Sequence, residues 1–314
     1  INNNIIQFNR INTARLTQIG GVLADPWVPQ FSGNGIYITA AGSNVDATLT
    51  PLVDDYTISG NLVDDNAMNG LHLRVETDAN MLANVANNSF SNNASNGILA
   101  SERLNDNTDL RSISGDWTGN LITGNDGIAE QTIGGFVGLQ NTGNGIRVAA
   151  QTAGLNVGLD APGMGNTITD NGANISRDID YINRFNSGNG IDITSDGTIS
   201  LANNLITGNF KGVHITAYNM TDRDYSSVIR TVTLTNNQII DNRDDGLEIT
   251  ANNADFISVV ATRNIIANNA GRGVDLLNQE TATSWLQFGD GTSGGGNVIE
   301  GNGYEGFWVV NTTA

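Results

Sequence analysis

The sequence predicts an all-β fold, a right-handed parallel β-helix (solenoid) of about nine coils with loop insertions, and three observations carry that expectation. One short phrase recurs nine times. Each copy brings a strand-like alternation, and no stretch of about ten residues or more has the amphipathic period of a helix.

The phrase is an Asn, two residues that include an apolar one, a second Asn, and then Gly-aliphatic-x-aliphatic. Its regular copies start at Asn61, Asn66 and Gly70; Asn88, Asn93 and Gly97; Asn237, Asn242 and Gly246; Asn264, Asn269 and Gly273; and Asn297, Asn302 and Gly306. Asn204, Asn209 and Gly212 form a copy one residue tighter. The pairs Asn4/Asn9, Asn120/Asn125 and Asn166/Asn171 reach Gly35, Gly145 and Gly190 only after insertions. Asn61 to Asn88 and Asn237 to Asn264 are both 27 residues apart, the size of a coil of three short strands and three turns. The whole chain, 1–314, reads as a single domain with insertions at 10–34, 126–144 and 172–189.

After each Gly, residues such as Ile36-Tyr37-Ile38 and Leu247-Glu248-Ile249 alternate, so the aliphatics face one way and the middle residue the other. A third apolar stretch, as in Val232-Thr233-Leu234, precedes many of the Asn pairs. Asn suits the corners because it tolerates the left-handed conformation and bonds backbone with its amide. Stacked at one corner, it is expected to bond from coil to coil as an Asn ladder. Ile5, Leu62, Leu121, Leu205, Ile239 and Ile265 are expected in the core.

Composition narrows the function. There is no Cys, which excludes disulfides, thiol nucleophiles and Cys-metal sites, and two His exclude a multi-His metal centre. A net charge of −18, with Lys211 the only lysine, argues against nucleic acid and anionic membranes as partners. No apolar run is long enough to span a bilayer.

Gly294-Gly295-Gly296-Asn297-Val298-Ile299-Glu300-Gly301-Asn302-Gly303 resembles the Gly-Asn-Val-Ile-Ser-Gly-Asn phrase of the pectate-lyase-like superfamily of parallel β-helix repeat proteins. Gly165-Asn166-Thr167-Ile168-Thr169-Asp170-Asn171-Gly172 is a second such copy. The resemblance implies the fold. It leaves activity open, because that superfamily holds lyases, polygalacturonases, tailspikes and surface proteins without known chemistry. Of the polygalacturonase phrases only an Asp-Asp pair, Asp244-Asp245, is present, at a turn before Gly246, and Lys211 is likewise read as a turn residue.

The middle residue of each Gly strand gives one outward position per coil, in the order Tyr37, His72, Leu99, Arg147, Asp192, His214, Glu248, Asp275 and Trp308. Glu248 beside Asp275 is suited to acid and base work on a sugar, or to Ca²⁺, the one cofactor the chain suggests. The preferred reading is a solvated face whose charges pair across strands, with no catalytic residue. Asp54-Asp55 and Asp64-Asp65 are further oxygen-rich pairs, read as turn residues. Asn87, Asn93, Asn174, Asn219 and Asn311 lie in Asn-x-Ser/Thr sequons. The insertions carry Trp27, Phe31, Phe136, Tyr181 and Phe185, the candidate binding residues.

The expected function is an extracellular or cell-surface structural or adhesive solenoid, with a polysaccharide-acting enzyme of the same fold as the rival. The chain begins and stops inside a repeat, so self-association end to end, or cover by adjoining segments of a longer chain, is expected, with glycans as further partners. A cleft of acids and aromatics on one sheet would favour the rival.

Overall fold

The computed structural model describes residues 1–7, 33–41, 53–76, 79–102, 111–125, 131–133, 136–138, 143–172, 188–217, 230–251, 256–279, 282–292 and 294–312. Their strands form three parallel sheets and one two-stranded ribbon. Sheet 1 stacks nine three-residue strands from Ile5–Gln7 through Leu62–Asp64 to Val298–Glu300. Sheet 2 stacks nine longer strands from Ile36–Ala41 to Phe307–Thr312, and sheet 3 stacks eight from Val53–Ser59 to Thr283–Phe288. Each of the first eight coils gives one strand to each sheet and the ninth gives one to sheets 1 and 2, all paired with their neighbours, so the described strands form a parallel β-helix of nine coils. Crossovers between parallel strands of one sheet are right-handed in nearly all proteins.

The core is the inside of this coil. Sheet 2 supplies Leu71, Leu73, Ile146, Val148, Leu247 and Ile249; sheet 3 supplies Met81, Val85, Trp117, Leu201 and Leu234; sheet 1 supplies Val63, Phe90, Ile122 and Ile206, all buried. Each such side chain removed from water contributes about 1.5–3 kcal/mol. Trp117 also donates its indole N–H to the Ala83 carbonyl at 3.1 Å, so its one polar atom is satisfied.

Sheet 1 corrects the expected core. Ile239 is buried, but Ile5, Leu62, Leu121 and Ile265 are 73%, 37%, 42% and 40% exposed, and Leu205 is half-buried. The residue that follows each of them is the inward one. The first Asn is itself buried at the corner, so side-chain alternation turns the next residue outward and the one after it inward. Polar residues in the outward place, Thr167 and Gln238, carried this register in the sequence.

Two Asn ladders run along the corners that flank sheet 1. In the first, Asn61 donates its backbone N–H and its amide N–H to Asn88 Oδ1, both at 2.9 Å, and Asn88 does the same to Asn120. It begins at Asn4 and ends at Asn297. The second runs from Asn66 through Asn93, Asn125, Asn171, Asn209, Asn242 and Asn269 to Asn302. The second amide hydrogen meets a backbone carbonyl, as from Asn125 to Phe90, so these buried polar groups are satisfied. Next to the ladders, Asn87, Asn92, Asn203, Asn236 and Asn268 take φ of 52–56°, the conformation that Asn adopts most readily after Gly.

The Gly that opens each strand of sheet 2 is required for a different reason. A Cβ on Gly145 would lie 2.6 Å from the Gly190 carbonyl oxygen and 2.5 Å from Ile168 Cγ2, so the coils could not stack. Of the insertions, the structure describes the antiparallel ribbon Gln131–Ile133 with Phe136–Gly138.

Candidate functional site

The outward column forms in the expected order. Strand register pairs Tyr37 with His72, His72 with Leu99, Leu99 with Arg147 and Arg147 with Asp192; then Asp192 with His214, His214 with Glu248, Glu248 with Asp275, and Asp275 with Trp308. Part of the face is not solvated, which corrects that reading there, while Tyr37 and Trp308 at its two ends are each 38% exposed. Asp192 is fully buried, and His72, His214 and Glu248 are 4%, 1% and 6% exposed. Burial and the nearby Arg74 push the His72 imidazole down to about 3, so it is neutral. His214 Nδ1 sits 2.9 Å from Asp192 Oδ1 and its Nε2 is 2.9 Å from Thr216 Oγ1. Arg147 Nε approaches Asp192 Oδ2 at 3.6 Å.

A third Asn ladder, which the sequence reading missed, borders the same sheet. It occupies the residue before each Gly: Asn34, Asn69, Asn96, Asn144 and Asn189. Its bonds point toward the preceding coil, opposite to the other two ladders, as from Asn69 to Asn34 Oδ1 and from Asn96 to Asn69 Oδ1. From the next coil onward this position holds Lys211, Asp245, Arg272 and Glu305. Asn189 therefore ends the ladder: its backbone N–H reaches Asn144 Oδ1, while its own buried amide has no hydrogen-bond partner among the described residues. The signal was legible, since the residue preceding each Gly can be read straight from the sequence.

Where the ladder gives way to charge, a groove of about 360 Å³ opens on the outer face of sheet 2. Glu248, Asp275, Trp308, Leu277 and Val310 line it from the strands, Lys211, Asp245 and Arg272 from the corner, and Asp244 and Tyr304 from the turns. Lys211 opens the strand Lys211–Ala217, not a turn as its sequence context suggested. Its Nζ pairs with Glu248 Oε2. Arg272 donates to Asp275 Oδ2 at 2.8 Å and to Glu305 Oε2 at 3.1 Å, and its guanidinium lies 4.8 Å from the Trp308 ring centroid. Trp308 and Tyr304 stay 38% and 67% exposed.

The carboxyls of the groove titrate apart. Burial, reinforced by Asp244 and Glu248, pushes Asp245 up to about 6, against the backbone N–H of Arg272 that donates to its Oδ1 at 2.6 Å. Burial also acts to raise Glu248, but Lys211 and His214 outweigh it and hold that carboxyl below its usual range. Burial lifts Asp275 as well, although Arg272 opposes it. Burial works against the Lys211 ammonium, and Glu248 more than restores it. One carboxyl inclined to hold its proton therefore lies near one inclined to lose it.

The other sequence candidates separate. Trp27, Phe31, Tyr181, Phe185 and the side chain of Phe136 lie outside the described residues, as do Asn174 and Asn219. Asp64 accepts hydrogen bonds from Gln7, Ser91 and Asn92, so its oxygens are engaged by neutral donors. Asp54 and Asp55 lie within the strand Val53–Ser59. No group of three or more His, Cys, Asp and Glu arranged to hold a metal ion occurs among the described residues. Asn93 is buried in its ladder and closed to glycan transfer, whereas Asn87 and Asn311 are exposed. No helix among the described residues is long and apolar enough to cross a membrane.

No family model, curated protein or solved structure matches the chain. The parallel β-helix therefore stands on its own strand pairing and Asn ladders.

Proposed function

We propose that the chain is an adhesive, saccharide-binding parallel β-helix of the pectate-lyase-like superfamily, acting at the cell surface or outside the cell. The observation that supports saccharide binding, the part of this reading that the polysaccharide-acting rival shares, is the groove on sheet 2. There the apolar and aromatic side chains of Leu277, Val310 and Trp308 lie beside the carboxyls of Asp245, Glu248 and Asp275. A sugar ring has an apolar face that stacks on an indole and a rim of hydroxyls that donate to carboxylates, and this lining meets both. Residues of successive coils line the groove, so a polymer lying along the solenoid axis meets repeated contacts. Isothermal titration of the intact chain with a panel of oligosaccharides tests the reading. Trp308→Ala should weaken a binding oligosaccharide about tenfold or more, consistent with one aromatic anchor carrying much of the energy. Binding untouched by that change would remove the groove from consideration.

Cleavage is the second reading, because a groove of acids and aromatics on one sheet is what a polysaccharide-acting enzyme of this fold requires. Asp245, raised to about 6, and Glu248, held ionised, divide as the acid and the base of glycoside hydrolysis divide. Release of reducing ends from a bound oligosaccharide, lost in Asp245→Asn, would establish it. Binding without products would leave the adhesive reading standing.

A further inference from the structure

We infer that the groove selects a saccharide bearing free amino groups and rejects uronic acids; this rests on the saccharide-binding reading. The superfamily resemblance gives no such preference, and the inference comes from how the charges in the groove are already committed. The lining holds four carboxyls, Asp244, Asp245, Glu248 and Asp275, against two cations, Lys211 and Arg272. Both cations are engaged: Lys211 is paired with Glu248, and Arg272 is divided between Asp275, Glu305 and the Trp308 ring. A uronate would have to displace one of these pairs to find a cation.

Asp245 is the complement. It is 9% exposed, its Oδ1 takes the Arg272 backbone N–H, and its Oδ2 accepts no hydrogen bond from the described residues. An ammonium group directed at that oxygen would make a charge-assisted bond shielded from bulk water. Such a partner would also relieve the burial and like-charge repulsion that raise this carboxyl. Rings further along the same oligosaccharide would rest on Trp308, Leu277 and Val310, which line the same groove. At long range the net charge of −18 draws cationic polymers toward the chain and repels polyuronates.

The experiment is calorimetric titration of the intact chain with three hexamers: glucosamine, N-acetylglucosamine and galacturonate. The expected order is glucosamine tightest, the neutral hexamer weaker by about tenfold or more, and galacturonate weakest, with the gaps narrowing in 0.5 M salt through screening (roughly a 4 Å Debye length). Asp245→Asn should remove most of the glucosamine hexamer's advantage, bringing its affinity close to that of the neutral hexamer measured on the same variant. Galacturonate binding as well as or better than glucosamine would overturn the inference and leave the saccharide reading intact. A preference for glucosamine that survives Asp245→Asn unchanged would overturn the role of Asp245. If none of the three binds, the saccharide reading itself fails.

Discussion

Lys211 and Glu248, which belong to neighbouring coils, form an ion pair whose side chains are only 4% and 8% exposed. Lys211 stands at the position that earlier coils give to the third Asn ladder, and Glu248 stands in the outward column. A neutral stacking device is thus exchanged for a charged one at the coil where the groove begins. An Asn there would have continued the ladder, as Asn144 does for Asn96.

Breaking the pair from one side should be costly. Lys211→Met leaves the Glu248 carboxylate buried without its main partner and should destabilise the fold by about 3–5 kcal/mol. The double change Lys211→Met with Glu248→Leu should recover most of that loss. Urea unfolding of the two variants and the parent chain measures it, and equal losses in the single and double variants would show that packing dominates.

The pH dependence of stability divides between the same carboxyls. Glu248 titrates below its ordinary 4.5 in the folded state, so its contribution is present above that pH and is lost as the pH falls through the lower folded value. Asp245 has the opposite sign. It rises from 3.8 to about 6 on folding, so the folded state holds the extra proton between those values and stability declines as pH rises across them. Asp245→Asn keeps an oxygen for the Arg272 N–H and removes that decline. Its melting temperature relative to the parent chain should increase from pH 4 to pH 7, by the equivalent of up to about 3 kcal/mol. A difference independent of pH would contradict the assignment.

The ladders predict a contrast between two polar side chains. Asn171→Ala deprives Asn125 of the oxygen that accepts both its backbone and amide N–H, and breaks bonds to Asn209 and to the Ile122 carbonyl. Stability should fall by roughly 2–4 kcal/mol, the cost of several buried groups left unmatched. Gln238→Ala, at an exposed position of the same sheet, should change it by less than about 0.5 kcal/mol.

Register in sheet 1 is tested by adjacent residues. Ile122→Asp places a charge in the core and should prevent folding, whereas Leu121→Asp faces water and should be tolerated. Far-ultraviolet circular dichroism of the two variants separates the registers, and the reverse outcome would restore the one first read from the sequence.

The sequence by itself determined the architecture. Recurring Asn and Gly fixed the corners and thereby the number of coils, and β alternation after each Gly placed Glu248 beside Asp275 before any coordinates. These features repeat, and in a stack each repeat meets only its neighbours, so local spacing carries over into tertiary pairing. In sheet 1 the same reasoning chose the wrong face: with only three residues per strand, two adjacent aliphatics look alike until the buried corner Asn sets the phase. Tertiary structure alone decided that His72, Asp192, His214 and Glu248 of the outward column are buried and that Lys211 reaches Glu248 from the neighbouring coil. It alone decided that Asp245 is raised while Glu248 is lowered. Those properties depend on which side chains share a low-dielectric space, and residues as far apart as Lys211 and Trp308 enter that space only once the coils have stacked.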